Sequence, residues 1–245
     1  MKNKIGILTF QNAHNYGALI QAFALKNYLE SNGYIVNVIN YANKEIENNY
    51  LYTPKNMVKV GGFHSAKKWI KREKEIILGR KEYKKKWLKF DNFIKKYITS
   101  DKKIFDKNEI DFMQYDYIIC GSDQIWNPYL TGGFDDVYFA NFNTKATKIS
   151  YAASLGMSEI KDKEKEKNFF KLLQNFDFIS VREEALKKYI NNHLGLNVNI
   201  VLDPTLLLSE KEYKVFLHDI PYENYVLQYT LMDNPRVGLY SKRNS

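Results

Sequence analysis

The chain has 245 residues, of which 44% are hydrophobic, together with a single cysteine and a formal net charge of +9. This length can bury a substantial core, in one large domain or two small ones. One cysteine excludes an intramolecular disulfide and a cysteine-rich metal site, and the sequence has no run of about 18 apolar residues that would span a membrane. The apolar stretch after Met1–Lys4 is too short for a secretory leader, so we expect a cytoplasmic protein.

A βαβ unit is predicted at the start of the chain. The apolar run Ile5–Leu8 predicts a strand, the apolar spacing over 17–32 predicts a helix, and Gly33 ends that helix before a second strand over 34–39. The turn between the strand and the helix carries His14, Asn15, Tyr16 and Gly17. Free N–H groups in the first helical turn favour an anion at this place. One glycine is too few for a dinucleotide-binding fingerprint. His14 is either a turn histidine or an acid–base or phosphate-donor group.

The excess positive charge is local, because residues 67–96 contain 13 Lys/Arg and 4 Asp/Glu. After an irregular stretch over 42–64, helices are predicted over 65–78 and 81–98, the second with one aromatic stripe and a lysine-covered opposite face. Two interpretations remain open. The helix packs on the sheet with a solvated basic side, or its basic side meets an anionic polymer or the inner face of a membrane as a peripheral contact. Nucleic-acid binding is not expected, since no nucleic-acid motif accompanies the charge.

Strands and helices alternate through the rest of the chain. Strands are predicted over 115–120, 148–153, 178–181 and 197–202, and helices over 158–175 and 183–192. Apolar strands that alternate with helices indicate an α/β fold with a doubly wound, mostly parallel sheet. Cys120 lies in an apolar strand, so we expect a buried structural thiol.

A small polar cluster follows five of the six predicted strands. The clusters are Asn15–Gly17, Gly121–Asn127, Ser154–Gly156, Ser180–Glu183 and Asp203–Thr205. In a parallel sheet these ends converge on one edge and can line one crevice. The alternative is that each cluster is only turn and cap chemistry.

Two charged residues in these clusters each have two interpretations. Arg182 can aim its planar guanidinium at a phosphate or carboxylate, or pair with Glu183 or Glu184. Asp203 can cap the following segment or contact a ligand hydroxyl. His64, His193 and His218 are predicted to be surface residues, and neither a metal site nor a cofactor is expected.

Five motifs, taken in order, resemble the polysaccharide pyruvyl transferase family. They are Asn15-Tyr16-Gly17-Ala18 with Gln21 and Ala24-Leu25, Gly121–Asn127, Tyr151–Gly156, Ser180–Glu183 and Leu202–Thr205. The resemblance implies a Rossmann-like lobe of a two-lobed, glycosyltransferase-B-type architecture. Residues 1–218 would form this N-terminal lobe, and residues 219–245 a linker and the first strand of an incomplete second lobe.

The resemblance also implies a reaction. Members of this family transfer the enolpyruvyl group of phosphoenolpyruvate to a sugar of a cell-surface polysaccharide, which yields a pyruvate ketal and phosphate. Arg182 matches the arginine of the family's Ser-Val-Arg-Glu motif and is the predicted catalytic residue. The predicted substrate-binding residues are His14, Asn15, Tyr16, Gly17, Gly121, Ser122, Asp123, Gln124, Asn127, Ser154 and Asp203. Among these, Asp123, Gln124 and Asn127 are expected to hold the acceptor sugar.

The chain departs from the family near its end. Members are typically longer, with a second α/β lobe that supplies a catalytic histidine and another arginine. Here a strand-like segment over 225–229 is followed by a tail, 234–245, without a regular pattern. We therefore expect that this chain alone does not complete the reaction. Two other functions stay open: a non-catalytic sugar- or anion-binding fragment, and a glycosyltransferase that uses a nucleotide sugar.

Overall fold

The computed structural model describes residues 2–50 and 84–217, with the side chains of residues 49 and 50 left out. The strands are β1 Lys4–Leu8, β2 Ile35–Val38, β3 Tyr117–Asp123, β4 Thr147–Ala153, β5 Phe178–Val181 and β6 Asn199–Ile200. The helices are α1 Tyr16–Ser31, α2 Lys44–Tyr50, α3 84–93, α4 Pro128–Thr131, α5 Lys163–Leu173, α6 Glu184–Leu194 and α7 Glu210–Tyr213. A π-helical turn, Ile94–Ile98, continues α3, and 3₁₀ turns cover Lys107–Glu109, Phe112–Gln114, Asp136–Phe139, Pro204–Leu206 and Lys214–Phe216.

Within these ranges, the six strands form one all-parallel sheet in the order β2-β1-β3-β4-β5-β6. Alternate residues of a strand point to opposite faces, and both faces of this sheet are covered. Ile7 and Ile119 pack against α1 and α3 on one face. Ile118 and Cys120 belong to the core on the other face, which includes Phe169 of α5. The predicted doubly wound, Rossmann-like α/β fold is confirmed.

The chain order of the strands changes direction at β1. After β1 the chain forms β2 on one side, and it then crosses to form β3 on the other side of β1. Leu8 at the end of β1 pairs in register with Cys120 of β3. In open α/β sheets, ligands bind outside the carboxyl ends of the two strands that flank such a switch point. The polar clusters Asn15–Gly17, after β1, and Gly121–Asn127, at the end of β3, therefore lie at this switch point.

Some element predictions were wrong. Residues 42–64 were expected to be irregular, but α2 begins there because the Asn43 side chain accepts hydrogen bonds from the backbone N–H groups of Glu45 and Ile46 at 2.9 and 3.1 Å. Strand β3 extends through Gly121–Asp123, beyond the predicted end at Cys120. The last strand, predicted over 197–202, has two residues.

The domain prediction stays a prediction. Residues up to Ser209 form one compact unit, and α7 with Lys214–Phe216 belongs to a second. The strand predicted over 225–229, the helix over 65–78 and the start of the helix over 81–98 lie outside the described residues. In the part of the chain that the structure covers, no helix has the length and apolar character to cross a membrane.

Trp126 should contribute strongly to the stability of the fold. It is completely buried, its indole Nε1 donates to the Tyr138 carbonyl at 3.1 Å, and its ring packs against Phe139 and Phe169. We expect Trp126→Ala to lower the free energy of unfolding by about 3–5 kcal/mol through lost burial and a cavity. Urea unfolding measures this. Tyr129→Ala is the control, because that ring is 79% exposed and its loss should change stability by less than about 0.5 kcal/mol. Similar values for both variants would contradict the packing described here.

Candidate functional site

The first polar cluster forms the N-terminus of α1. Asn15 has extended backbone angles, and its side-chain oxygen accepts a hydrogen bond from the Ala18 N–H at 3.2 Å. The predicted cap chemistry is therefore present at Asn15. Tyr16, the first helical residue, is 61% exposed, and Gly17 is exposed beside it. The first-turn N–H groups of a 16-residue helix face the carboxyl edge of the sheet here.

A buried chain of hydrogen bonds joins this helix to the switch point. Gln21 of α1 donates through Nε2 to the Thr9 hydroxyl at 2.8 Å, and Thr9 donates to the Ser122 carbonyl at 3.0 Å. Thr9 is fully buried, and Gln21 is 2% exposed. The sequence did not single out Thr9, since one threonine after a strand has no distinctive pattern. These bonds fix the position of the Ser122 backbone relative to β1 and α1.

Ser122, Asp203 and Arg182 lie together, although they are far apart in the sequence. The Ser122 hydroxyl donates to the Ala152 carbonyl at 3.0 Å and lies 3.4 Å from Asp203 Oδ2. The same Asp203 oxygen accepts a hydrogen bond from Arg182 at 2.8 Å. Asp203 Oδ1 accepts from the backbone and the hydroxyl of Thr205 at 3.0 and 2.8 Å. Asp203 therefore caps its own turn and also orients Arg182.

Arg182 is paired but not saturated. Its Nε donates to Glu183 at 3.0 Å, as one of the predicted alternatives requires, and one terminal nitrogen donates to Asp203. An arginine has five N–H donors, so three remain beyond these two bonds to described residues. Burial alone would lower the pKa of Arg182, but Asp203 and Glu183 outweigh it and raise that pKa. The guanidinium is therefore a permanent cation held at the carboxyl end of β5.

Asp123 ends β3 in an uncommon conformation. Its φ is +81°, and its Oδ1 accepts a hydrogen bond from the Gln124 N–H at 2.8 Å. Burial raises the pKa of the Asp123 carboxyl, although Arg182 partly opposes this and Asp203 reinforces it. A carboxyl that protonates more readily than usual, at a strand end, is suited to exchange protons with a ligand.

Gln124 and Asn127 form an amide pair against Gly156. Asn127 Nδ2 donates to Gln124 Oε1 at 2.9 Å, and Asn127 Oδ1 caps α4 by accepting from the Tyr129 N–H at 3.0 Å. Gly156 has a φ of +71°, and a Cβ there would lie 2.6 Å from Asn127 Nδ2 and would also clash with Gln124 Oε1. Close approach therefore requires glycine at this position.

Two of the predicted substrate-binding residues, Ser154 and Gly121, support the backbone of the strand ends. Ser154 is 1% exposed, and its N–H donates to the Asp123 carbonyl at 2.9 Å, so it ties the end of β4 to the end of β3. Gly121 has a φ of +124°, and any side chain there would collide with the Tyr151 carbonyl. Both residues therefore help to set the backbone positions of the polar cluster at the ends of β3 and β4.

The ring of His14 lies against α3. It stacks on Phe90 with centroids 5.3 Å apart, meets Trp87 edge-on at 4.8 Å, and places Nε2 3.7 Å from Asp91 Oδ1. Burial lowers the pKa of His14, and the Asp91 carboxylate partly opposes this. These contacts favour the turn-histidine interpretation. His193 lies at the surface, with Nδ1 2.9 Å from the Tyr189 carbonyl, and His64 and His218 lie outside the described residues.

The structure therefore brings together Ser122, Asp123, Arg182 and Asp203, with the Gln124–Asn127 pair beside Asp123. Within the described ranges, no group of three His, Cys, Asp or Glu side chains is arranged to hold a metal ion. Cys120 is fully buried, and burial raises the pKa of its thiol, so it is the structural residue that was predicted.

The comparison with family models decides the family. The model described as Polysaccharide pyruvyl transferase matches residues 15–239. This chain belongs to the polysaccharide pyruvyl transferase family. Comparisons with curated proteins and with solved structures give no significant match. The matched range contains all the clustered side chains, whereas Thr9 and His14 precede it.

Replacement of Asp123 should stabilise the protein at neutral pH. Because burial raises the pKa of Asp123, the folded state keeps this proton to a higher pH than the unfolded chain does. Its stability contribution therefore falls as the pH rises from the ordinary aspartate range through the raised pKa. Asparagine keeps the Oδ1 acceptor, tolerates the positive φ and carries no charge. We expect Asp123→Asn to be more stable than wild type near pH ~7 and equal to it near pH ~3 in urea unfolding.

The control for this pH effect is Asp111→Asn. Asp111 is an exposed cap residue whose Oδ1 accepts from the Met113 N–H, and asparagine caps equally well. A loss of stability in Asp123→Asn at neutral pH would show that the carboxylate, rather than the neutral acid, is favoured by its surroundings.

Gly156→Ala should disturb the amide pair. We expect it to lower the free energy of unfolding by at least ~1 kcal/mol more than Gly195→Ala does, because overpacking adds to backbone strain. Gly195 is the matched control, since its φ is +61° and a Cβ there meets nothing within 4 Å. That control isolates the left-handed backbone cost of about 1–2 kcal/mol. Equal losses in thermal or urea unfolding would mean that Gln124 and Asn127 move aside freely.

Proposed function

We propose that this protein transfers the enolpyruvyl group of phosphoenolpyruvate to a sugar of a cell-surface polysaccharide. Family membership indicates polysaccharide pyruvyl transfer in general, and the donor and the acceptor are the parts that we add. The observation that carries the proposal is Arg182, a permanent cation with three remaining donors at the carboxyl edge of the sheet. We place this reaction in the cytoplasm and propose that it proceeds without a cofactor.

The proposed reaction balances without a redox step. One sugar hydroxyl adds its oxygen to C2 of phosphoenolpyruvate, C3 gains a proton and becomes a methyl group, and the bond from C2 to the phosphate oxygen breaks. A second hydroxyl of the same sugar then adds to C2 and closes the ketal. Of the two hydroxyl protons, one balances the proton gained by C3 and the other leaves with phosphate. Such a reaction needs an anion site, a group that accepts hydroxyl protons and a proton donor.

Arg182 would bind the phosphate or the carboxylate of the donor. Its planar fork suits either anion, and the first-turn N–H groups of α1 add donors at the same edge. Of its two present partners, Glu183 is the easier to displace, because its side chain is 41% exposed whereas that of Asp203 is 21% exposed. Asp203 is also held by Thr205. Asp203 would therefore keep Arg182 in position while a ligand takes the place of Glu183.

The end of β3 would hold the acceptor. Asp123, with its raised carboxyl pKa, would accept a proton from a sugar hydroxyl. The amide groups of Gln124 and Asn127, beside it, would contact further hydroxyls through the donors and acceptors that their mutual bond leaves available. Asp203 and Ser122 would separate this acceptor region from the donor region at Arg182.

Arg182→Ala should weaken phosphoenolpyruvate binding. We expect the dissociation constant measured by titration calorimetry to rise about tenfold to a hundredfold, as the loss of charge-assisted hydrogen bonds predicts. Arg182→Lys should recover part of this, because it keeps the charge but not the fork. Lys188→Ala, which removes an exposed lysine of α6, should leave the affinity unchanged.

The same titrations separate the other functions. If a nucleotide sugar binds and phosphoenolpyruvate does not, the protein is a glycosyltransferase and the proposed donor is wrong. Binding of phosphoenolpyruvate without release of phosphate in the presence of sugar acceptors would identify a non-catalytic binding protein. An unchanged affinity in Arg182→Ala would remove Arg182 from the donor site.

A further inference from the structure

The helix over 84–98 has one buried face and one cationic face. Phe90, Ile94 and Ile98 are 6%, 5% and 3% exposed and pack in the same core as α1. Six lysines occupy exposed positions of the same helix, and we call them the lysine face: Lys84, Lys85, Lys86, Lys89, Lys95 and Lys96. The segment contains one acidic residue, Asp91, which lies beside His14. The lysine face therefore concentrates positive charge within one short surface.

This face borders the N-terminus of α1. Lys86 Nζ lies 5.6 Å from the ring centroid of the exposed Tyr16, and Tyr16 lies 4.9 Å from the ring of Phe90. Farther along, Phe23 of α1 contacts Phe93 and Tyr97. The two helices thus run side by side, and Lys84, Lys86 and Lys89 lie on the half of the helix nearest to the carboxyl edge of the sheet.

Helix α1 connects this face with the candidate site. It contacts the turn Pro204–Leu206, which directly follows Asp203, and it also contacts the π-helical turn of the basic helix. Its first residues, Tyr16 and Gly17, belong to the first sequence motif. A polymer that lies on the lysine face can therefore continue over Tyr16 towards the strand ends.

The charges of the two regions are opposite. Around Arg182, the strand-end cluster has three carboxylates, Asp123, Glu183 and Asp203, so it does not attract a polyanion over a distance. The lysine face does, because exposed charges act over a Debye length of about 8 Å at physiological ionic strength and together raise the local concentration of an opposite charge.

The apolar side of the helix argues against a membrane as the partner. Interfacial helices insert a free apolar face between lipid headgroups. Here that face is buried against α1, and Leu88 is the exposed large hydrophobic residue of the described helix. An exposed aromatic ring next to lysines, at the entrance of a sugar-transferring site, fits a polysaccharide better.

We propose that the lysine face of the helix over 84–98, together with Tyr16, binds an acidic polysaccharide and guides this acceptor to the carboxyl edge of the sheet. The acceptor class would be a polymer with repeating carboxylate, phosphate or sulfate groups. The role of the polymer as the acceptor rests on the proposed function. Binding of the polymer to the lysine face can be measured without any turnover.

The test compares two triple variants of the full chain. Lys84→Gln/Lys86→Gln/Lys89→Gln removes three charges from the half of the helix that contains the Lys86–Tyr16 contact. Lys165→Gln/Lys167→Gln/Lys171→Gln removes three exposed charges from α5 and is the matched control. Fluorescently labelled dextran sulfate, neutral dextran and phosphatidylglycerol vesicles are the probes. We expect the first variant to bind dextran sulfate about tenfold more weakly than wild type, as three exposed charge contacts predict, with a weaker dependence on salt.

The control variant should stay within about twofold of wild type, since exposed charges far from a binding surface contribute little. If both variants lose the same amount of affinity for dextran sulfate, the loss reflects net charge alone, and the inference is overturned. Vesicle binding that depends on the three lysines, with dextran sulfate binding that does not, would assign the face to a membrane and also overturn it. If dextran sulfate binding maps to the lysine face but phosphoenolpyruvate does not bind, the polymer surface stands and the proposed reaction fails.

Discussion

The hydrogen bond from the buried Thr9 hydroxyl to the Ser122 carbonyl, 3.0 Å long, joins the carboxyl ends of β1 and β3. These strands flank the point where the sheet order changes direction. A crevice forms outside the carboxyl ends of such strands, and this hydrogen bond holds the two ends together. Gln21 holds Thr9 from α1, and the Ser122 side chain lies near Asp203, which holds Arg182. Thr9 therefore links the N-terminal half of α1 to the cluster that holds the arginine, although Thr9 itself is too buried to touch a ligand.

Much of this arrangement could be predicted because it depends on periodicity. The apolar runs Ile5–Leu8 and Phe178–Val181 coincide with β1 and β5 to within one residue, and a parallel sheet necessarily brings their polar ends to one edge. Contacts that depend on long-range packing could not be predicted. The ring of His14 lies on α3 because aromatic side chains 73 or more positions away create an apolar pocket for it. The positive φ of Asp123 and the capping of α2 by Asn43 arise from local backbone geometry that residue type alone does not specify.

The electrostatics of the strand ends limit what can bind there. Asp203 and Glu183 both pair with Arg182, and Asp123 adds a third acidic group, so the cluster has no surplus positive charge while all three are ionised. An entering anion would therefore have to replace a carboxylate as a partner of Arg182. Burial raises the pKa of Asp123, although the Gln124 N–H and Arg182 oppose this shift. Under the proposed function, this cluster would suit a pair of ligands that offers an anion to Arg182 and hydroxyl groups to Asp123.

The helix over 84–98 connects stability with recognition through its two faces. Its aromatic stripe packs on His14, Tyr16 and Phe23, and these contacts set the position of the first turns of α1. Its lysines project from the other side. Substitutions on the apolar face would therefore displace α1, with a loss of stability, whereas substitutions on the lysine face would change the surface charge and, at Lys86, the contacts with the Tyr16 and Phe90 rings. Since α1 also contacts the turn after Asp203, the position of this one helix determines how the basic surface lies relative to the strand-end carboxylates.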